Sequence, residues 1–189
     1  MSKPSLLFAA VAAFTLFAVQ GPAWSQDVAN NADGYGTPLK PEDLLEFFSI
    51  PPDGAGLPEG SGAAAQGKEV YAVSCAMCHG PKMESVPATG GPALVGGRGT
   101  LTDVPAIKTV ESYWPYATTL FDYIKRAMPF HMPGSLTDDQ VYAVTAYILA
   151  EGGIIEDDDV MNKTTLPKVK MPNADGFVAY PNPDVRRFR

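Results

Sequence analysis

The pentapeptide Cys75-Ala76-Met77-Cys78-His79 decides how this chain folds. In the C-x-x-C-H spacing, two thiols add to the two vinyl groups of a single porphyrin, and the adjacent histidine is held beneath the iron. The chain has 2 Cys and only 2 His, so this stretch takes both thiols and half of the imidazoles. The pattern predicts one covalent haem c on Cys75 and Cys78, with His79 as the proximal ligand.

Two other sites can be built from the same residues. A thioredoxin-type disulfide between Cys75 and Cys78 needs a preceding strand in a βαβ unit, whereas the residues before Cys75 have a helical pattern. A zinc site that adds the distant His131 has enough ligand atoms, but adjacent Cys and His in one turn fit a tetrahedron poorly. Haem attachment explains the pentapeptide better than either alternative.

The N-terminal segment 1–25 has the pattern of an export signal. Lys3 supplies the positive end, the run from Leu6 to Val19 is almost wholly apolar, and Ala23-Trp24-Ser25 resembles a small-x-small cleavage site. The apolar run is shorter than the ~20 residues that span a bilayer. We therefore expect cleavage near Ser25, a periplasmic location and no stable membrane insertion.

The chain is acidic, with 14 Lys+Arg, 21 Asp+Glu and a net charge of -7. An acidic exported protein is a poor candidate for binding nucleic acid. The periplasm is oxidising, so two lone cysteines are not expected to remain reduced thiols there. Haem attachment would convert both of them to thioethers.

Proline and glycine divide the rest of the chain. We expect an N-terminal arm over 26–62, a helical domain over 63–153 and an irregular C-terminal extension over 154–189. The arm contains one predicted helix, Pro41 to Phe48, with Pro in its first turn. The extension carries apolar residues that predict a strap across the domain or a partner: Leu166, Val169, Met171, Phe177 and Val178.

Periodic apolar residues predict an all-α fold for the central domain. Thr137 and Gln140 form a capping box at the start of the last helix. The helices are predicted over 63–74, 116–127 and 138–150.

Gly67 lies inside the first of these helices, where glycine costs about 1 kcal/mol relative to Ala. Such a residue requires a packing reason, and close approach of another helix is one. We therefore predict that the helices over 63–74 and 138–150 cross at Gly67, with Tyr71 and Tyr147 meeting there.

The loop Gly90 to Gly99 follows the attachment site and contains too much glycine for regular structure. A ligating histidine usually donates its other ring nitrogen to a carbonyl or carboxylate, and Pro92 can supply that carbonyl. Arg98 has two possible fates, a contact with a haem propionate or a solvated position on the surface.

Three side chains in one short stretch can supply the sixth ligand of the haem iron: Met128, His131 and Met132. Pro129 disfavours the α conformation at Met128, so the helix should end there and leave the thioether free to face a crevice. Met132-Pro133 repeats the arrangement. Methionine opposite histidine raises the reduction potential, whereas a second histidine lowers it. Spacing does not choose between these ligands, nor does it exclude an open site.

Three motifs of the chain together resemble those of the class I monohaem cytochromes c. They are the pentapeptide at 75–79, Gly91-Pro92-Ala93-Leu94 and Met128-Pro129. That resemblance implies a helical fold wrapped round one haem. It also implies that the Pro92 carbonyl accepts a hydrogen bond from the proximal histidine, and that Met128 is the distal ligand.

Longer stretches of the chain are similar to cytochrome subunits of periplasmic sulfite and sulfane dehydrogenases. They include Tyr113-Trp114-Pro115-Tyr116, Arg126-Ala127-Met128-Pro129-Phe130 and Lys168-Val169-Lys170-Met171-Pro172. The similarity covers roughly residues 34 to 178. It implies Met128 rather than Met132 as the ligand, and a position for Trp114 beside the propionates or in the core. It further implies that a separate molybdenum protein donates single electrons, which pass on to another cytochrome.

A haem enzyme acting on peroxide or a sulfur compound at an open or labile sixth site is the alternative from another class. His131 is the one evident acid or base near the iron for such a reaction. An electron carrier needs no catalytic residue, and we expect none here. A subunit whose haem only holds the fold together is a third interpretation.

Overall fold

The computed structural model describes residues 49–177 of the chain. The expected signal segment, the predicted helix from Pro41 to Phe48 and Val178 all lie outside this range. In chain order the elements are β1 (Ser61–Ala63), α1 (Ala64–Ser74), α2 (Ala76–His79), α3 (Ala117–Ala127), α4 (Asp138–Glu151) and β2 (Val160–Asn162), with single 3₁₀ turns at Pro87–Thr89 and Leu166–Lys168.

The three helices predicted from periodicity are present as α1, α3 and α4, each with ends within a residue of the expected ones. The capping box of α4 is formed as predicted: the Thr137 N–H donates to Gln140 Oε1 at 2.9 Å, and the Gln140 N–H donates to Thr137 Oγ1 at 3.3 Å. Helix α3 ends where expected, because Met128 adopts an extended conformation before Pro129. The predicted all-α class is confirmed.

Helix α4 is the centre of the core, and every residue from Val141 to Leu149 is buried. Helix α3 packs against one side of it, where the Phe121 and Tyr142 rings lie 4.4 Å apart between centroids. No helix in the described range is long and apolar enough to cross a membrane.

Helix α1 crosses α4 at Gly67, as predicted. A Cβ at Gly67 would overlap the Ala143 carbonyl oxygen and lie 2.7 Å from the Tyr147 Cβ. Beside this contact the Tyr71 and Tyr147 rings meet edge to face, with centroids 5.5 Å apart. The Tyr71 hydroxyl also donates to the Gly80 carbonyl at 2.7 Å, so the crossing is tied to the end of α2.

A two-stranded antiparallel sheet that the sequence did not predict joins the two ends of the described chain. Ser61 pairs with Asn162 and Ala63 with Val160, while Gly62 between them packs against the α4 backbone at Ala143. Strands of three residues are too short to show an alternating pattern, which is why sequence periodicity missed them.

The C-terminal extension packs on the helices, which confirms the predicted strap as far as residue 177. Leu166 and Met171 are buried in the core, and Val169 packs against it. Phe177 is about half exposed, but its ring meets the Tyr113 ring at 5.2 Å between centroids.

Replacing Gly67 by Ala tests the helix crossing. In an isolated helix this change would stabilise by about 1 kcal/mol, but here the added methyl group overlaps the backbone of α4. We expect Gly67→Ala to lower the free energy of unfolding by about 2–3 kcal/mol in urea titrations of the haem-loaded protein.

The matched control is Ala72→Gly, at an exposed position of the same helix. It should lower the free energy of unfolding by only about 1 kcal/mol. A Gly67→Ala variant that is more stable than the parent protein would contradict the crossing.

Candidate haem-binding site

A cavity of about 440 Å³ opens between the α1–α2 junction, the loop that follows α2, helix α3 and the segment after it. This volume is typical of cofactor sites. Cys75, Cys78, His79 and Met128 all line it. None of the described residues that line the cavity is Asp or Glu, and most of its surface is apolar.

The two cysteines are presented by a tight turn of backbone. Helix α1 ends at Ser74, and Cys75 caps it with an N–H that donates to the Tyr71 carbonyl at 2.9 Å. The Cys75 carbonyl then accepts from the N–H groups of Cys78 and His79, each at 3.0 Å, and this closes α2. The single turn of α2 therefore directs both thiols and the imidazole to one cavity.

The two thiols are not paired with each other, and one of them is shielded from water. Cys75 and Cys78 are free rather than joined in a disulfide. Burial, with a smaller contribution from Cys78, raises the pKa of the Cys75 thiol to about 11. Within residues 49–177, no group of three or more His, Cys, Asp or Glu side chains is arranged to hold a metal ion.

His79 is oriented by the loop that follows α2. Its Nδ1 lies 2.7 Å from the Pro92 carbonyl oxygen. A carbonyl only accepts hydrogen bonds, so Nδ1 carries the proton and donates, and the lone pair on Nε2 is left for a metal. Pro92 thus lies where the sequence predicted the acceptor of the proximal histidine.

Gly91 allows this hydrogen bond to form. It packs so closely against Cys78 that a Cβ at Gly91 would overlap the Cys78 carbonyl oxygen. The loop is held in place further along, where the Leu94 N–H donates to the Met83 carbonyl at 2.9 Å. Any side chain at position 91 would push Pro92 away from the imidazole.

The three candidate distal residues lie in different places. Met128 lines the cavity, is partly buried and packs against the core. Met132 does not line the cavity, and its side chain is 56% exposed. His131 lines the cavity but is exposed to solvent. The geometry favours Met128 over Met132 as an axial ligand.

Trp114 and Arg98 lie in different environments. Trp114 lines the cavity, with its ring edge to face against Tyr123 at 5.7 Å. Arg98 does not line it. The Arg98 Nε instead pairs with Glu111 Oε1 at 2.7 Å, and its Nη2 donates to the Gly152 carbonyl at the end of α4. Arg98 therefore holds loop and helix together and is not part of the cavity wall.

Sequence patterns did not indicate a role in the site for two further polar residues of the cavity wall, Lys108 and Tyr123. Lys108 lies in an irregular segment, and Tyr123 lies in helix α3. The donor set of thiols, imidazole and thioether, in a cavity whose described lining is mostly apolar and has no carboxylate, fits a porphyrin with apolar faces and two anionic propionates.

Replacing Arg98 by Ala separates the two roles considered for this residue. We expect a loss of about 1–2 kcal/mol in the free energy of unfolding, because the partly buried Glu111 and the end of α4 lose their donor. The visible spectrum and midpoint potential of the haem should stay those of the parent protein. A changed potential with unchanged stability would instead place the guanidinium at a propionate.

Comparison with known proteins agrees with this geometry. The family model for cytochrome c matches residues 64–151. A chain in the crystal structure of the sulfane dehydrogenase SoxCD from Paracoccus pantotrophus is 41% identical, with a TM-score of 0.69. The alignment covers 82% of this chain and 75% of that one. The chain therefore belongs to the cytochrome c family, as an electron-transfer cytochrome that carries covalent haem c.

Proposed function

We propose that the chain binds one haem c through Cys75 and Cys78, with His79 and Met128 as the axial ligands. The hydrogen bond from His79 Nδ1 to the Pro92 carbonyl carries this proposal, because it fixes the tautomer that a proximal ligand needs. When bound, the haem iron supplies a one-electron couple between its ferric and ferrous states. No substrate atom is transferred.

The residues of the site favour a relatively high reduction potential. A thioether opposite the imidazole stabilises the ferrous state. The cavity wall is largely apolar, and removing the iron centre from water disfavours the state with the extra positive charge. Both effects suit a protein that accepts electrons from a dehydrogenase.

The electron donor in this proposal is a molybdenum-containing sulfane or sulfite dehydrogenase, and the acceptor is another cytochrome. Support for the donor comes from the 41% identity to a chain of a sulfane dehydrogenase over most of both chains. We also propose export to the periplasm by the signal at 1–25, a haem domain over 63–153, and flanking segments over 26–62 and 154–189. Redox partners of this kind meet through small, short-lived interfaces.

The distal ligand is tested by comparing two alanine variants. Met128→Ala should abolish the methionine-to-iron absorption band of the ferric protein and open the iron to carbon monoxide in the ferrous form. Met132→Ala is the matched control, and because Met132 is exposed outside the cavity it should leave both properties unchanged.

Loss of the band in Met132→Ala alone would contradict the assignment. Rapid carbon monoxide binding by the parent protein, with turnover of peroxide or a sulfur compound, would favour the enzyme alternative.

The donor is tested by mixing the oxidised cytochrome with a purified molybdenum sulfane or sulfite dehydrogenase and its substrate. We expect the haem to take up one electron per molecule, followed as growth of the ferrous absorption bands. The control omits the substrate. Failure of the dehydrogenase to reduce a cytochrome that dithionite reduces fully would refute this donor while leaving the haem assignment intact.

A further inference from the structure

The cavity wall is basic in only a few places. Of the described residues that line it, Lys108 and His131 carry basic side chains in addition to the ligand His79, and none carries a carboxylate. Arg98, which the sequence offered as a propionate partner, is bound to Glu111 elsewhere. A haem brings two propionates, and anions at the edge of a low-dielectric site are stabilised by a nearby cation.

A haem held at this site would bring its vinyl groups to Cys75 and Cys78, and its two propionates would need a different part of the cavity wall. The loop after α2 is tied to the attachment site at two places: Gly91 packs against Cys78, and the Pro92 carbonyl accepts from His79 Nδ1. Further along the loop, Leu94 still lines the cavity.

Lys108 lies beside that further part of the loop. Its neighbour Thr109 donates through Oγ1 to the Gly96 carbonyl at 2.7 Å. The Val110 N–H donates to the Leu94 carbonyl at 3.1 Å. These bonds fix the backbone that follows Lys108, and Lys108 lines the cavity from an exposed position.

The C-terminal extension holds the ring on which Lys108 rests. The Lys108 Nζ lies 5.1 Å from the centroid of the Tyr113 ring, within the range of a cation–π contact. Asn173 Nδ2 donates to the Tyr113 carbonyl at 2.8 Å, and the Phe177 ring meets the Tyr113 ring edge to face. The extension thus fixes both the backbone and the ring of Tyr113.

We propose that Lys108 is the cation beside a haem propionate, and that Asn173 and Phe177 of the C-terminal extension position it through Tyr113. Lys108 then raises the reduction potential, because a positive charge near the haem favours the state that has gained an electron. Asn173 and Phe177 are positioning residues. This proposal rests on the haem attachment proposed above and is independent of the electron donor.

The first experiment measures the midpoint potential of the full-length, haem-loaded protein by spectroelectrochemical titration at low ionic strength, where charge effects are least screened. Lys108→Gln should lower the potential, and Lys108→Arg should leave it near the parent value. Lys168→Gln removes the same charge from an exposed residue that does not line the cavity, and should leave the potential unchanged. Equal potentials in Lys108→Gln and Lys168→Gln would overturn the role of Lys108.

The second experiment tests positioning with a double-mutant cycle. Phe177→Ala should lower the potential by less than Lys108→Gln does, and it should cause no further shift in the Lys108→Gln background. The control Val160→Ala trims an exposed apolar residue of the same extension and should have no effect. An absent shift, or one that persists without Lys108, would overturn the positioning role.

The results of these two experiments can be distinguished from a failure of the haem assignment or of the proposed electron donor. Potentiometry requires no partner protein, so a wrong electron donor leaves these values unaffected. A failed haem assignment would be seen earlier, as a purified protein without covalent pigment.

Discussion

The hydrogen bond between His79 Nδ1 and the Pro92 carbonyl is the contact on which the rest of the site depends. It requires the loop after α2 to turn back beneath the imidazole, and this is possible because Gly91 has no side chain to hold it off Cys78. The Tyr71 hydroxyl on Gly80 connects the same turn to the crossing of α1 and α4. The same set of contacts therefore holds the helix crossing, the positions of the thiols and the tautomer of His79.

The distribution of charge is the second constraint on the site. The chain carries 21 acidic residues, yet none of the described residues lining the cavity is Asp or Glu. Negative charge beside the haem would disfavour its reduction and repel the propionates. The C-terminal extension contacts Tyr113, and Lys108 of the cavity wall lies over the Tyr113 ring, so a segment that looks peripheral in the sequence is connected to a residue of the site.

Local patterns were enough to predict the helices and the capping box at Thr137, because each depends on neighbours within one or two turns. The crossing at Gly67 is a tertiary contact with Ala143, but a glycine inside a helix marks it in the sequence. The pairing of Ser61 with Asn162 could not be predicted, since strands so short and so distant in sequence carry no periodic signal. The fate of Arg98 depended on where Glu111 lies, and that is a tertiary fact. Likewise, both Met128 and Met132 precede a proline, so the sequence pattern made both of them candidate iron ligands. Only the folded chain shows which of them lines the cavity.

The central claim is a covalent bond between haem and the pair Cys75 and Cys78. Its most direct test is the intact mass of the purified, exported protein before and after extraction with acidified acetone. The account predicts the mass of the polypeptide plus one haem in both samples. A mass equal to the bare polypeptide, or pigment released into the acetone, would contradict it.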